Sequence, residues 1–283
     1  MAEPGHDERQ GPARRRSQEE RRAQAERALL EAAAKLFARR GVEQTSMADI
    51  GEEAGYSRGL ANHHFGSRAE LVNRLARRAQ SDFVMGLSSF GGRELQELAA
   101  AVGIGWGIDG EAGGVGDLAD EELRFIANLV EGLASRAHTE LLRSLGDSAG
   151  PELRALAVMV DAYLATVACC TDTTRAFYVM WGASFPEETP LRLVFAADDA
   201  RFRTGVEAVV RLGQRNHTIN AAVDPRGVAA AVVGMLRGIS AQFTVDPEGV
   251  DLDAARSACT QFLRHTLAPA PETRPEQNKP RPA

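Results

Sequence analysis

The chain has 283 residues, 44% apolar and 25% charged, enough for about two domains with buried cores and ordinary for a globular protein. No run approaches the roughly 18 uninterrupted apolar residues of a membrane span, no apolar segment follows the N-terminal arginines as a secretory leader requires, and three cysteines are too few for a disulfide scaffold, so a reducing cytoplasm is expected and a membrane partner is not. Net charge is −6, but residues 1–85 carry +2 and residues 86–283 carry −8, an acidic body behind a mildly basic head that suits contact with a polyanion through one end.

Residues 1–16 lack apolar periodicity and read as a disordered arm, with Arg14, Arg15 and Arg16 within it. A domain over 17–85 follows, built from four closely spaced helix starts. Ser17-Gln-Glu-Glu20, Ser46-Met-Ala-Asp49 and Ser67-Arg-Ala-Glu70 each have the form of a capping box, in which serine and acid satisfy each other's orphan N–H groups. Ser57 opens the remaining helix without a matching acid. Gly41 and Gly55 are the stops. The plan is a long helix over 17–40, short helices over 46–54 and 57–64 with a turn at Gly55-Tyr56 between them, and a long helix from 68 that leads into the next domain. Met47, Ile50 and Ala54 give the first short helix an apolar face, and Leu60, Ala61 and Phe65 the second. Two short helices joined by a glycine turn and packed on a longer one form a helix-turn-helix, whose second helix enters the major groove.

The polar positions of that second helix are Ser57, Arg58, Asn62, His63 and His64, with no acid among them to repel phosphate. Arg58 and Asn62 lie four apart on one face. Arginine pairs with guanine and asparagine with adenine, though either can hold a phosphate instead. His63, His64 and Arg68 are further phosphate donors, the last at a helix start where the dipole favours an anion. Ser46, Ser57 and Ser67 are caps first. Adjacent histidines on a helix diverge and cannot chelate one ion, so no metal is expected.

The run Thr45-Ser-Met-Ala-Asp-Ile-Gly-Glu-Glu-Ala-Gly-Tyr-Ser-Arg-Gly-Leu-Ala-Asn-His-His-Phe-Gly-Ser-Arg-Ala-Glu-Leu71 resembles the DNA-binding segment of TetR-family transcriptional regulators. The resemblance is specific over Ala25–Leu75. Many members have Thr-Leu-Tyr where this chain has Leu60-Ala61-Asn62, and a subgroup with Gly-Leu-Val-Asn-Tyr-His-Phe is closer. Carried over position by position, it implies a DNA-contacting set of Ser46, Ser57, Arg58, Gly59, Leu60, Asn62, His63, His64, Ser67 and Arg68. It also implies an all-α fold, with a larger C-terminal helical domain that binds a small-molecule effector and dimerises through a four-helix bundle. The implied partners are an operator duplex, a second copy of the chain and that effector, with no cofactor.

That second domain is expected over 86–268, before a proline-rich tail at 269–283. Helical periodicity recurs throughout it. A glycine cluster over 103–116 matches a dinucleotide fingerprint in spacing but lacks the strand before it and reads as a loop. The stretch 88–150 is long for the family. The densest aromatic and sulfur cluster contains Met159, Tyr163, Phe177, Tyr178 and Trp181, which fits an apolar effector pocket or an ordinary core. Asp161 and His138 are possible polar anchors, and Cys169-Cys170 a possible oxidant sensor. Arg226–Phe243 and Asp251–Leu267 form two amphipathic helices. Val228, Val232, Met235, Ile239, Phe243, Leu252, Cys259 and Phe262 line them, fitting a dimer interface or an internal hairpin. No nucleophile elbow, Walker loop or zinc-ligand spacing occurs, so an enzyme is not expected.

Overall fold

The computed structural model describes residues 18–79, 143, 145, 149–169 and 171–269. The arm, Ser17, the glycine cluster 103–116, most of 88–150 with His138, Cys170 and the tail beyond 269 lie outside the described residues. Among those described, every regular element is a helix, as the periodicity predicts.

The first four helices are α1 (Gln18–Arg40), α2 (Met47–Glu53), α3 (Leu60–Phe65) and α4 (68–79). Glu19 and Glu20 open α1, and Arg39 and Arg40 close it, charges that complement the helix dipole at both ends. Ser46 caps α2 in a closed capping box: Asp49 N–H donates to Ser46 Oγ at 3.2 Å, and Ser46 N–H donates to the Asp49 carboxylate at 3.0 Å. Gly55 (φ +77) takes the left-handed backbone that ends the helix sharply. Ser67 Oγ accepts from Glu70 N–H at 3.1 Å, so α4 starts as expected. Leu29, Phe37, Ile50, Ala61, Phe65, Leu71 and Leu75 fill the space between these helices.

Ser57 departs from expectation. It does not cap a helix; residues 57–59 form a turn in which Ser57 C=O accepts from Leu60 N–H at 3.0 Å, and α3 begins after Gly59, which offers no side-chain cap. The Ser57 carbonyl lies against α2, which fixes the turn and delays the helix.

The remaining helices are α5 (Pro151–Cys169), α6 (Thr171–Gly182), α7 (Leu191–Arg215), α8 (Pro225–Val245) and α9 (Leu252–Leu267). Asp224 and Asp251 cap α8 and α9, accepting from Gly227 and Ala254 N–H at 2.8 and 2.9 Å. Alpha-helix α5 is apolar on nearly every side, as a central helix should be; Leu153, Leu156, Val160 and Leu164 are all buried. Around it pack Val206 and Val210 of α7, Val232 and Leu236 of α8, and Cys259 and Leu263 of α9. Buried Glu152 accepts from Asn216 Nδ2 at 2.6 Å and Thr218 Oγ1 at 2.5 Å, tying the start of α5 to the turn after α7.

The two cores share α7, which puts Leu191 and Phe195 into the N-terminal core and Val206 and Val210 into the C-terminal one. Alpha-helix α6 adds Ala176, Phe177 and Met180 to the N-terminal core. The helix-turn-helix domain is therefore closed from behind by the second domain.

Two expectations need correcting here. Val228, Val232, Met235, Ile239 and Phe243 pack against the chain's own C-terminal core, and Cys259 is buried in it. The 3.6-residue period identifies a covered face but not what covers it. Asp161 is not a pocket anchor: Arg256 of α9 holds both its carboxylate oxygens, at 2.7 and 2.8 Å.

Candidate functional site

On the outer face of the first domain, α3 and the turn before it stand clear of the body. Arg58, Gly59, Asn62, His63, Ser57 and Ser67 are exposed, and His64 is half-buried. Ser46 lies at the start of α2 on the same domain. Leu60 is turned inward against the N-terminal core, because it shares the helical face of Ala61 and Phe65. Its side chain is therefore a packing group. Arg68 also turns inward, donating to the Val42 carbonyl and standing 3.7 Å from Glu43. A phosphate would have to take it from these partners. His63 and His64 meet edge to face with ring centres 6.4 Å apart. No group of three potential metal ligands converges among the described residues. Beneath α3, Arg74 ties α4 to α1 through Glu26 at 2.7 Å and lies 5.7 Å from the Phe65 ring.

The face is not free of acid. Glu52, from the end of α2, reaches across the turn to Arg58: Nε to Oε1 at 2.5 Å and Nη2 to Oε2 at 3.3 Å. The sequence of α3 alone does not reveal it, because the carboxylate comes from the neighbouring helix. The same hydrogen bond and charge push the Arg58 pKa up, and its positive charge is permanent in any case.

The interior holds a second guanidinium. Arg237 of α8 is 7% exposed and touches three other helices. Its Nη2 donates to Asp198 at 2.8 Å and to Asp199 at 2.9 Å, its Nε donates to Asp199 at 3.2 Å, and its Nη1 donates to the Tyr163 hydroxyl at 3.0 Å. The guanidinium also stacks on Phe177, 4.6 Å from the ring centre, a cation–π contact. Tyr163 and Tyr178 hydroxyls are 3.3 Å apart. Trp181 Nε1 reaches Asp199 at 3.5 Å, and its ring stands edge-on to Tyr178. Burial pushes the Tyr163 hydroxyl well above the usual phenol range, so it stays protonated. Burial opposes the Arg237 charge, but the balance at Arg237 is upward, and Asp198 and Asp199 are its charged partners.

Of the five residues expected at a pocket, Tyr163, Phe177, Tyr178 and Trp181 come together in this network, while Met159 sits one turn earlier on α5 in the C-terminal core. The sequence reading missed Arg237, Asp198 and Asp199. An arginine inside the apolar run of α8 was the available signal, since a charge on a buried stripe implies a buried partner. On α8 and α9 two of the expected residues, Phe262 and Leu252, are not covered by the chain's own core, and Val245 joins them. Phe262 is 63% exposed and Val245 84%, Leu252 is half-buried, and nothing lies within 4 Å of a Cβ built on Gly234 or Gly238.

Residues 29–75 match the family model for bacterial regulatory proteins of the tetR family, and residues 152–268 match that for the C-terminal domain of BetI-type transcriptional repressors. The HTH-type transcriptional regulator TtgR of Pseudomonas putida is 50% identical over 62 residues, 22% of this chain and 29% of that protein. The transcriptional repressor KstR2 of Mycobacterium tuberculosis is 47% identical over 49 residues, 17% of this chain and 24% of that one. These matches span under a third of the curated relatives. Among solved structures, SmeT, repressor of a Stenotrophomonas maltophilia multidrug efflux pump, aligns with TM-score 0.55 at 17% identity, over 86% of this chain and 90% of that one. FadR of Bacillus subtilis, in complex with stearoyl-CoA, aligns with TM-score 0.55 at 12% identity, over 84% and 96%. At such identities the structural likeness establishes the fold, and the family models carry the assignment: the chain belongs to the TetR family, DNA-binding regulators of transcription.

Proposed function

We propose that the chain is a homodimeric repressor, acting in the cytoplasm, that leaves a palindromic operator when a small molecule binds between α5, α6, α7 and α8. The carrying observation is that α6, packed in the N-terminal core, also touches α5 and α8: its Tyr178 hydroxyl lies 3.3 Å from that of Tyr163, and its Phe177 ring lies under the Arg237 guanidinium. One side of it bears Tyr178 and Trp181 beside the Arg237 network, and Phe177 and Met180 pack in the core of the DNA-binding domain. A ligand that repacks the rings must move Phe177 and, with it, the floor under α1. It shifts the equilibrium because it binds one arrangement of α6 better than the other. Met159, Tyr163, Phe177, Tyr178 and Trp181 are its proposed contacts. Ser240, one turn beyond Arg237, has a buried hydroxyl with no partner among the described residues, a place for a polar group of the effector. Structures in this fold hold small molecules of differing chemistry: one is a complex with triclosan, another with choline and a third with stearoyl-CoA.

Dimerisation is proposed through the outer face of α8 and α9. Alpha-helix α8 is long and apolar enough to cross a bilayer, yet only 33% of its apolar window is buried in the single chain. Its Arg237 is paired inside the fold, which fits a core helix with a partner on its far side. Gly234, Gly238, Phe262 and half-buried Leu252 make that side small and apolar, and a two-fold pairing of α8 and α9 forms a four-helix bundle. Ser46, Ser57, Arg58, Gly59, Asn62, His63, His64 and Ser67 form the proposed DNA face.

The test has two arms. Selection from random duplexes should return an inverted repeat, and Gly234→Leu should sediment as a folded monomer that no longer selects it. A wild-type monomer bound to single half-sites would remove the dimer. With Trp106→Phe as background, any compound that releases the duplex should quench Trp181. Release with unchanged Trp181 emission would move the effector elsewhere.

A further inference from the structure

We propose that Glu52 makes Arg58 a reader of guanine: it grips one edge of the guanidinium, presents the other to a base, and keeps the group off the phosphate backbone. This rests on the reading of α3 as the DNA-contacting helix and goes beyond it in assigning the kind of contact and the residue that decides it.

The geometry is specific. The carboxylate takes Nε and one hydrogen of Nη2 in a two-pronged contact. That leaves both hydrogens of Nη1 and the outer hydrogen of Nη2, the pair of donors that meets guanine N7 and O6. The pair is not there for stability. Its side chains are 71% and 51% exposed, and exposed ion pairs are worth little.

The backbone enforces the contact. Gly51 precedes Glu52, and a Cβ built on it would lie 2.5 Å from the Ser57 carbonyl oxygen and 3.3 Å from the Arg58 Cα. Tyr56 N–H donates to Gly51 C=O at 2.9 Å. Only glycine lets α2 lie this close to the turn, so the two side chains start from fixed, adjacent positions.

Charge then selects the target. Binding to phosphate draws on net positive charge and on released counterions. A guanidinium already neutralised by Glu52 offers neither, and an approaching phosphate meets a carboxylate. Asp49 adds to the negative field at Arg58, although its own carboxylate is engaged by Ser46 and by Arg40 at 2.8 Å. A base edge has no net charge and is read by hydrogen bonds, so the neutralised pair suits it.

The experiment uses the full chain and the duplex it selects from random sequence, with variants of that duplex at each G·C pair, at several salt concentrations. Arg58→Ala should lose roughly 5- to 150-fold preference at one G·C pair per half-site. Glu52→Gln, nearly isosteric, should weaken the preference at that same pair by at least about threefold. It should also tighten binding to a scrambled duplex and steepen the salt slope by about 0.9 as Arg58 turns to a phosphate. Glu52→Asp should restore part of the preference. Unfolding midpoints check that each variant is folded, and Glu52→Ala replaces Glu52→Gln if that one is not. The proposal is overturned if Glu52→Gln leaves every base preference unchanged. It is also overturned if Arg58→Ala lowers affinity equally for all duplexes and flattens the slope, which makes Arg58 a phosphate clamp and leaves the DNA-contacting role of α3 intact. A selection without any guanine dependence overturns it as well. Arg58→Ala that changes no duplex binding at all removes Arg58 from the DNA face, and the reading beneath the proposal goes with it.

Discussion

The molecule pairs a guanidinium with carboxylates in two contrasting places. Arg58 and Glu52 meet in water on the DNA-binding domain, with side chains 71% and 51% exposed. Arg237 meets Asp198 and Asp199 inside, where the three are 8%, 17% and 20% exposed. The chemistry is the same and the consequences are opposite. In water the attraction is screened and nearly balanced by the entropy of holding two long side chains. Inside, each charge has lost its hydration and depends on the others. The outer pair is therefore free to turn its uncommitted edge to DNA while Glu52 holds the other, and the inner group is a fixed joint between four helices.

The largest effect expected from this contrast is at the joint. Arg237→Met removes the cation shared by Asp198 and Asp199, leaving Asp198 with Arg201 at 3.8 Å, and takes one hydrogen-bond donor from Tyr163, at a cost of about 3–5 kcal/mol. Denaturant unfolding measures it. Adding Asp198→Asn and Asp199→Asn should recover a large part, because the loss comes from stranded charge. A single-variant loss under about 1 kcal/mol would mean that water reaches the joint, and the contrast with Arg58 would fail.

Next comes Gly51→Ala. Its Cβ would press on the Ser57 backbone, and overpacking of this kind costs about 1–3 kcal/mol, offset in part by the better helix propensity of alanine. Duplex affinity should fall further than stability, since the displaced turn carries Arg58. Equal affinity and equal melting would show that α2 can slide without disturbing the DNA face. Smaller again is the stability effect of Glu52→Gln, expected within about 1 kcal/mol of wild type, while its base preference should fall by at least about threefold.

These two regions also differ in how far sequence could reveal them. The DNA-binding domain announces itself locally. Ser46 and Asp49, Ser67 and Glu70, and Gly55 sit within three or four residues of what they stabilise, so their spacing carries the information. Even there, Ser57 misleads, because the carbonyl that decides its conformation lies against Gly51 of another helix. Glu52 escapes for the same reason. The interior network is wholly non-local: Arg237 finds Asp199 across 38 residues and Tyr163 across 74. The period of α8 puts Arg237 on a covered face but does not say which carboxylates, 38 and 39 residues away, will meet it. The stripe on α8 was legible as a covered face, but only the packing of α7 and α5 against it shows that the cover is the chain itself.

The smallest expected effect is a difference in sign with pH, and it distinguishes the regions most directly. Asp49, on the outer domain, is held below the usual carboxylate value of 3.8 by the Ser46 backbone N–H first, then by the Ser46 hydroxyl and Arg40. Its folded form binds fewer protons than the unfolded chain. The stability it contributes is present above the unfolded value and is lost as pH falls through the folded one. Asp198 is the reverse. Burial raises it above 3.8, and the attraction of Arg237 only partly opposes this. Its favourable contribution is fullest below the unfolded value and is lost as pH rises through the folded one. Urea midpoints across mildly acidic pH should therefore separate two variants. The stability of Asp49→Asn relative to wild type should fall as pH rises toward the usual carboxylate range, and that of Asp198→Asn should climb as pH rises beyond it. Parallel curves for the two would mean that both carboxylates share one environment, and that the inner joint is no drier than the outer pair.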